Sequence, residues 1–233
     1  MQYINPYIEL CLEGSSSLFK GLNQKDKETL ANQHILTIVK KGKFLFKEGD
    51  KSRCLVCLAS GKAKVFKDGV GGRGQILKMM RQQGFIGFKG LFSDNPWSVS
   101  AIAIEDSAIC TFEKNSLVRI LKKNPELALK FIKVIADELW SSNNRTVSLT
   151  QKHIRGRLAE SLLVLRDTYG FEADGNTIRV LMSREDIANL SNMTTSNAIR
   201  TLSNMASEGI IEIKGRRISI LDNNQLEHIS ELG

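Results

Sequence analysis

The hydrophobic period of the chain changes near Asn124, and that change limits what it can fold into. From about Ile35 to Phe112 the apolar residues come in short runs: ILTIV, KFLF, CLVCLAS, KAKVFK, QILKMM, WSVSAIAI and AICTF. Turn-forming stretches, KEGD, SG, DGVGGRG, SDNP and EDS, separate them. Regular short strands with such punctuation predict a β-sandwich or barrel. From about Asn124 to Gln151 the pattern is helical instead. Ala128, Ile132, Ile135, Leu139, Ser142, Thr146, Leu149 and His153 follow one another at alternating spacings of four and three, a heptad seam that turns polar at Ser142 and Thr146. Leu127, Phe131 and Val134 form a second apolar face. One face can pack on the strands while the other meets a partner helix, so a dimerisation helix is predicted over residues 124–152, with Ala128, Ile132, Ile135, Leu139, Ser142 and Thr146 at its interface.

From His153 the segments are compact. GRLAESLLVLRDTYG reads as an amphipathic helix ended by Gly170, and NTIRVL as a short strand. SREDIANL starts a helix with Ser183 as N-cap and Glu185 and Asp186 in the first turn, where the helix dipole favours acids. After the tight turn SNM, a second helix runs from the N-cap Thr194 to a stop at Gly209, with Ala198, Leu202 and Met205 on its apolar face. Two short strands around Lys214–Gly215 read as a hairpin. Helix, turn, helix and hairpin predict a winged helix-turn-helix. The expected architecture is α+β: a β-rich domain over residues 1–123, the dimerisation helix, and a winged helix-turn-helix over residues 153–233.

The second helix of such a unit enters the major groove, and its N-terminal residues meet base edges. Thr195, Ser196, Asn197 and Arg200 are polar side chains suited to that edge. An arginine there can take guanine O6 and N7 together. Asn197 or Thr194 could hold a phosphate at the helix N-terminus. Lys214, Arg216 and Arg217 at the hairpin could grip the DNA backbone.

Charge agrees with a polyanionic partner only locally. The net charge is +8, but residues 1–150 carry 23 Lys and Arg against 14 Asp and Glu, while residues 151–233 carry 10 against 11. The DNA argument therefore rests on where individual cations stand. HExxH, P-loop and nucleophile-elbow motifs are absent, and there are three histidines, so no enzyme is expected. The glycines of DGVGGRG suit a hairpin tip better than a phosphate loop, because no GK[ST] follows. Four cysteines in a chain this long do not make a disulfide scaffold. MQYINPYIELCLEG lacks the features of a signal peptide, and no apolar run reaches membrane-spanning length. A cytoplasmic protein is expected, with no membrane partner, cofactor or metal.

These residues resemble the CRP/FNR regulators over nearly the whole length. The resemblance is carried by KGKFLFKEGD, CLVCLASGKAKVFK, GFIGFKGLF followed by SVSA, IRGRLAESLL, and SREDIANLSNMTTSNAIRTLSNMASEGIIEIKGRRISI, in that order and spacing. It implies a cyclic-nucleotide-binding-like double-stranded β-helix (jelly roll), a long dimer helix and a C-terminal winged helix. It implies transcription regulation by a homodimer on palindromic double-stranded DNA, with a small-molecule effector of unknown identity and RNA polymerase as a candidate partner. By position, Ser183 and Thr194 would cap helices and touch phosphate, and Thr195, Ser196 and Arg200 would read bases. The rival reading is a ligand-binding regulatory module that acts on a protein partner rather than DNA.

The effector site departs from the family pattern. Members that bind cyclic AMP carry Glu after the glycine of the GFIG stretch and Arg before the SA pair. Here those positions are Phe88 and Val99, while Gly87 and Ser100 remain. Ser142 and Asn143 align with the helix positions that meet the nucleotide base. No response to cyclic AMP is expected. An iron–sulfur cluster is not expected either, because only Cys11 lies near the start, and Cys54 and Cys57, three apart in a strand, point to opposite faces.

Overall fold

The computed structural model describes residues 5–93 and 95–233. Two short helices, α1 (Pro6–Glu13) and α2 (Gln24–Gln33), precede eight strands. These are β1 (Ile35–Val39), β2 (Phe44–Phe46), β3 (Cys54–Ser60), β4 (Ala63–Asp68), β5 (Gly74–Met80), β6 (Gly84–Ile86), β7 (Ser100–Ala103) and β8 (Ser107–Glu113), with the five-residue helix α3 (Phe88–Phe92) between β6 and β7. They form two four-stranded sheets of order β1-β8-β3-β6 and β2-β7-β4-β5. Apart from the consecutive pair β4 and β5, which share a sheet, strands alternate between the sheets along the chain, which is the double-stranded β-helix expected.

Strand β3 shows why its sequence is apolar throughout. Leu55, Cys57 and Ala59 point to one core, and Val56 and Leu58 to another. A strand buried on both faces loses the polar alternation of a half-exposed one. The inner core lies between the sheets and includes Val39, Phe46, Val65, Trp97, Ala101 and Ile109. The outer core lies between β3 and β8 and the helices. It takes in Ile8 and Leu12 of α1, Leu30 of α2, Leu117 and Ile120 of α4 (Lys114–Lys123), and Leu127 and Phe131 of α5 (Pro125–Gln151). Leu127, Phe131 and Val134 are thus the face that packs on the strands, as their spacing predicts. Burying Leu127 and Phe131 contributes about 1.5–3 kcal/mol each. Cys11, Cys57 and Cys110 meet in this core, and all four cysteines are free. The Cys11 thiol beside it, and burial, push the Cys110 thiol above its usual range. Such a group stays protonated and inert.

The chain divides into two compact units. One comprises residues 1–67 and 78–139, the other residues 68–77 and 140–233, so α5 runs through both. In the second unit, α6 (Ile154–Tyr169) packs against α9 (Asn223–Leu232), and the pair α7 (Arg184–Leu190) and α8 (Thr195–Ser207) is followed by the hairpin β9 (Ile211–Lys214) and β10 (Arg217–Ile220). Leu158, Leu162, Ile187, Leu190, Ala198, Leu202, Met205, Ile218 and Leu226 are buried there.

Three local expectations need correction. WSVSAIAI becomes a strand only at Ser100. Trp97 instead bonds the turn before β3: its N–H donates to the Asp50 carbonyl at 2.9 Å, and its carbonyl accepts from Gly49 at 2.8 Å. NTIRVL forms no strand, only single bridges from Ile178 to Phe171 and from Thr177 to Ser219. The Asp174 carboxylate accepts from the N–H groups of Asn176 and Thr177 and from the Thr177 hydroxyl, which holds a turn there. Lys214 pairs with Arg217, so the hairpin turns on Gly215 and Arg216, one residue later than read. Gly215 has φ +62°, the left-handed conformation a tight turn needs. The tip DGVGGRG does join β4 to β5, with a 3-10 turn at Val70–Gly72. In SDNP, Asp94 lies outside the described residues.

Candidate nucleic-acid interface

The two helices of the reading unit are fixed by their caps. Ser183 Oγ accepts from the Asp186 N–H at 3.0 Å and donates to the Asp186 carboxylate at 2.8 Å. Its proton is therefore held inside the protein, and its part is to start α7. The turn Ser191–Met193 passes through Asn192 at φ +50°, a conformation asparagine tolerates. Thr194 Oγ1 then accepts from the Asn197 N–H at 3.2 Å and starts α8. Ala198, Thr201, Leu202 and Met205 face inward. Thr195, Ser196 and Arg200 are exposed on the outer side.

Asn197 makes a contact that sequence reading did not supply. Its Oδ1 accepts from the Arg200 guanidinium at 3.0 Å. Residues three apart on a helix are neighbours, so Asn197 steadies the fork of Arg200 from one turn below. A guanidinium held this way keeps its other N–H groups for an outside acceptor pair such as guanine O6 and N7.

The hairpin stands beside this pair of helices on a contact that sequence reading missed. Arg184, the first residue of α7, donates to the Gly215 carbonyl at 2.9 Å. It ties the start of α7 to the hairpin turn. Lys214 and Arg216 are exposed at that turn. Lys214 forms an ion pair with Glu212 at 2.9 Å, so part of its charge is met within the hairpin.

A second missed contact holds the far end of α7. The Arg145 guanidinium donates to the Leu190 carbonyl at 2.8 Å and to the Ile76 carbonyl at 2.6 Å. Gln75 donates to the Asn189 carbonyl at 2.7 Å. The last carbonyls of a helix lack intrahelical partners, and these donors satisfy them. Burial lowers the Arg145 pKa, opposed by the nearby Glu160 carboxylate. On the heptad pattern Arg145 reads as one more polar residue of a long helix, so only the tertiary contact identifies it.

The expected effector residues of the first unit, Gly87, Phe88, Val99 and Ser100, do not form one polar pocket. Gly87, with φ +116°, sits against the Cys54 backbone and the Trp97 ring, where an added Cβ would come within 2.6 Å and 2.9 Å. Phe88 does not line the space between the sheets. It turns to the outer core, with its ring at 5.5 Å from that of Phe131. Val99 packs on the inner core. The Ser100 hydroxyl accepts from the Glu48 N–H at 3.0 Å. Trp97 stacks on Phe46 with centroids 3.9 Å apart, so aromatic carbon occupies the interior. Ser52 Oγ is buried without a hydrogen-bond partner beside Gly90 of α3. Ser142 and Asn143 belong to the second unit and are exposed on α5.

The heptad seam is likewise open. Ile132 is 61% exposed and Leu139 62% exposed, and Ile135, Ser142 and Thr146 are also on the surface. Ala128 is half-buried against the outer core, and Leu149 is half-buried too. Among the described residues no group of His, Cys, Asp and Glu could hold a metal ion, and no helix is long and apolar enough to cross a membrane.

Two family models match: a cyclic nucleotide-binding domain over residues 36–124 and a Crp-like helix-turn-helix domain over residues 156–229. The chain is 25% identical over 213 residues to a CRP-like cAMP-activated global transcriptional regulator of Mycobacterium tuberculosis, covering 91% of this chain and 95% of that one. It is 29% identical over 189 residues to electron transport regulator A of Shewanella oneidensis, covering 81% and 75%. Among solved structures, FixK2 from Bradyrhizobium japonicum superposes with a TM-score of 0.75 at 22% identity, covering 84% of this chain and 96% of that one.

Proposed function

The chain belongs to the CRP/FNR family of DNA-binding transcription regulators, and from that premise we propose that it acts as a homodimer on palindromic promoter sites. The observation that carries this reading is the leading edge of α8, where exposed Thr195 and Ser196 adjoin an Arg200 braced by Asn197. In the reading proposed, these three side chains meet base edges in the major groove. Thr194 and the α8 N-terminus lie against a phosphate, and Lys214 and Arg216 hold the backbone beside it. Ser183 acts through its cap. The open seam Ile132–Ile135–Leu139, continued by Ser142 and Thr146, joins two copies. Their α8 helices then lie about one DNA turn apart, roughly 34–36 Å.

The β-roll of this protein works without cyclic AMP. The mycobacterial relative is described as cAMP-activated, but a cyclic phosphate leaves water only for a charge or several donors. Val99 offers neither, Phe88 faces the outer core, and Ser100 brings a single hydroxyl donor and no charge. An uncharged effector, or none, suits this interior.

Selection of duplexes from a random pool by the full-length protein tests the function. The expected result is a palindrome whose affinity falls steeply with salt, because each neutralised phosphate releases counterions. Enrichment of no sequence, with weak binding of every duplex, would overturn the reading and favour action on a protein partner.

A further inference from the structure

The outer side of α8 carries one side chain that a solvated helix does not need. Ile199 is 46% exposed, and it is the one large apolar side chain on the surface of α7 and α8. Its neighbours there are polar: Thr195 and Ser196 one turn before it, Ser203 one turn after it, and Arg200 beside it. The buried face of the helix is complete without it, since Ala198, Thr201, Leu202 and Met205 already fill that side. Helix propensity does not call for it either, because a β-branched residue is a poorer helix former than the alternatives.

We infer that Ile199 is a specificity-determining residue that packs against the C5-methyl group of a thymine in each half-site. This rests on the proposed reading of α8 as the groove-entering helix, and it adds an apolar contact to the polar ones. The major-groove edge of a base pair offers one apolar feature, the thymine methyl, and apolar side chains recognise it. Ile199 directly follows the buried Ala198 and precedes Arg200, so it lies on the flank of the base-facing side. Successive helix residues differ by 1.5 Å along the axis, and base pairs stack about 3.4 Å apart. The thymine therefore falls within about two base pairs of the guanine taken by Arg200. A serine, glycine or glutamine at this place could not make the contact, so the operator preference at that position belongs to this chain.

The test uses the duplex selected by the full-length wild type, with each thymine replaced in turn by deoxyuridine, symmetrically in both half-sites. That exchange removes one methyl group and leaves every hydrogen-bonding atom. At one position, deoxyuridine should weaken wild-type binding about threefold to fivefold per half-site, the effect of one methyl carbon returned to water. Ile199→Ala and Ile199→Ser should bind the thymine and deoxyuridine duplexes alike at that position. Ile199→Val, which keeps a branched apolar end, should retain part of the discrimination. Circular dichroism of the variants should match wild type, since the side chain is outside the core. Equal methyl sensitivity in wild type and both truncations, or no sensitive position at all, overturns the inference while leaving the DNA-reading function intact. Failure of the wild type to select any duplex overturns both.

Discussion

Ser100 in the β-roll and Arg200 on α8 both carry hydrogen-bonding capacity, and the protein uses them in opposite ways. Ser100 is buried and accepts from the backbone N–H of Glu48, just beyond the neighbouring strand β2. Arg200 is exposed, and Asn197 braces it without enclosing it. The same holds for their surroundings. Trp97 and Phe46 close the inner core, whereas Thr195 and Ser196 keep the edge of α8 polar and open. The comparison teaches that one chain can keep hydrogen-bonding groups for its own packing in one half and leave them open at the surface in the other. In the proposed reading, the edge of α8 offers what a base edge needs, and the roll interior offers no charge to an anionic effector.

The largest effect expected on this comparison comes from emptying the roll. Trp97→Ala removes a buried ring stacked on Phe46 and should lower stability by about 3–5 kcal/mol, measured by denaturant unfolding. The cavity it leaves is apolar, so calorimetry with cyclic AMP should show no binding tighter than about ten micromolar in the variant or in wild type. A tight signal in wild type would mean that Lys89, an exposed residue of α3 next to Phe88, or backbone N–H groups replace the absent arginine, and the contrast between the halves would fail.

Next comes the open seam of α5. Leu139→Asp puts a carboxylate on the proposed dimer seam and should weaken association by about 3 kcal/mol or more, read as a shift to monomer by sedimentation. The monomer should keep its fold, since Leu139 is exposed in the single chain. A wild type that sediments as a monomer at micromolar concentration would remove the palindrome from the account.

A smaller change is expected at the hairpin. Arg216→Ala should weaken all duplexes alike and lower the salt slope by about one. Lys214→Ala should do less, because Glu212 already pairs with that ammonium. Sequence-dependent losses here would move base reading from α8 to the hairpin.

The smallest effect concerns pH. Hydrogen bonds from the Thr177 hydroxyl and from the backbone of Thr177 and Asn176 hold the Asp174 carboxyl down to about 2, against a usual 3.8. A depressed folded-state pKa adds stability above pH 3.8 that is lost as pH falls towards 2. Asp174→Asn should therefore flatten the fall in stability over that window. An unchanged acid limb would show that the turn does not depend on the carboxylate.

Much of this architecture was legible in the sequence, and the gaps have physical causes. The strands of the roll announce themselves through short apolar runs bounded by turns, and the helix pair through Ser183, Thr194 and a regular apolar face. Helix α3 did not, because five residues are too few to show a helical period. Trp97 read as the start of a strand, since nothing local says that its backbone bonds a distant turn. The turn of Phe88 to the outer core is not legible in the sequence, because the direction of one side chain beside a left-handed glycine depends on the packing around it. The contacts of Arg145 and Arg184 join residues 45 and 31 apart. Periodicity has no access to such pairs. The leading edge of α8 was legible because it is local: a cap, one helical turn and the residues that need not pack.

The most direct measurement of the central claim is the affinity of wild type and Arg200→Ala for the selected duplex and for duplexes changed at each base pair of the half-site. The account predicts a loss of about 1–3 kcal/mol on the selected duplex and relaxed base choice at one position per half-site, with the other positions read as before. Equal affinity of the variant and wild type for the selected duplex would contradict it, and would mean that another surface of the protein faces DNA.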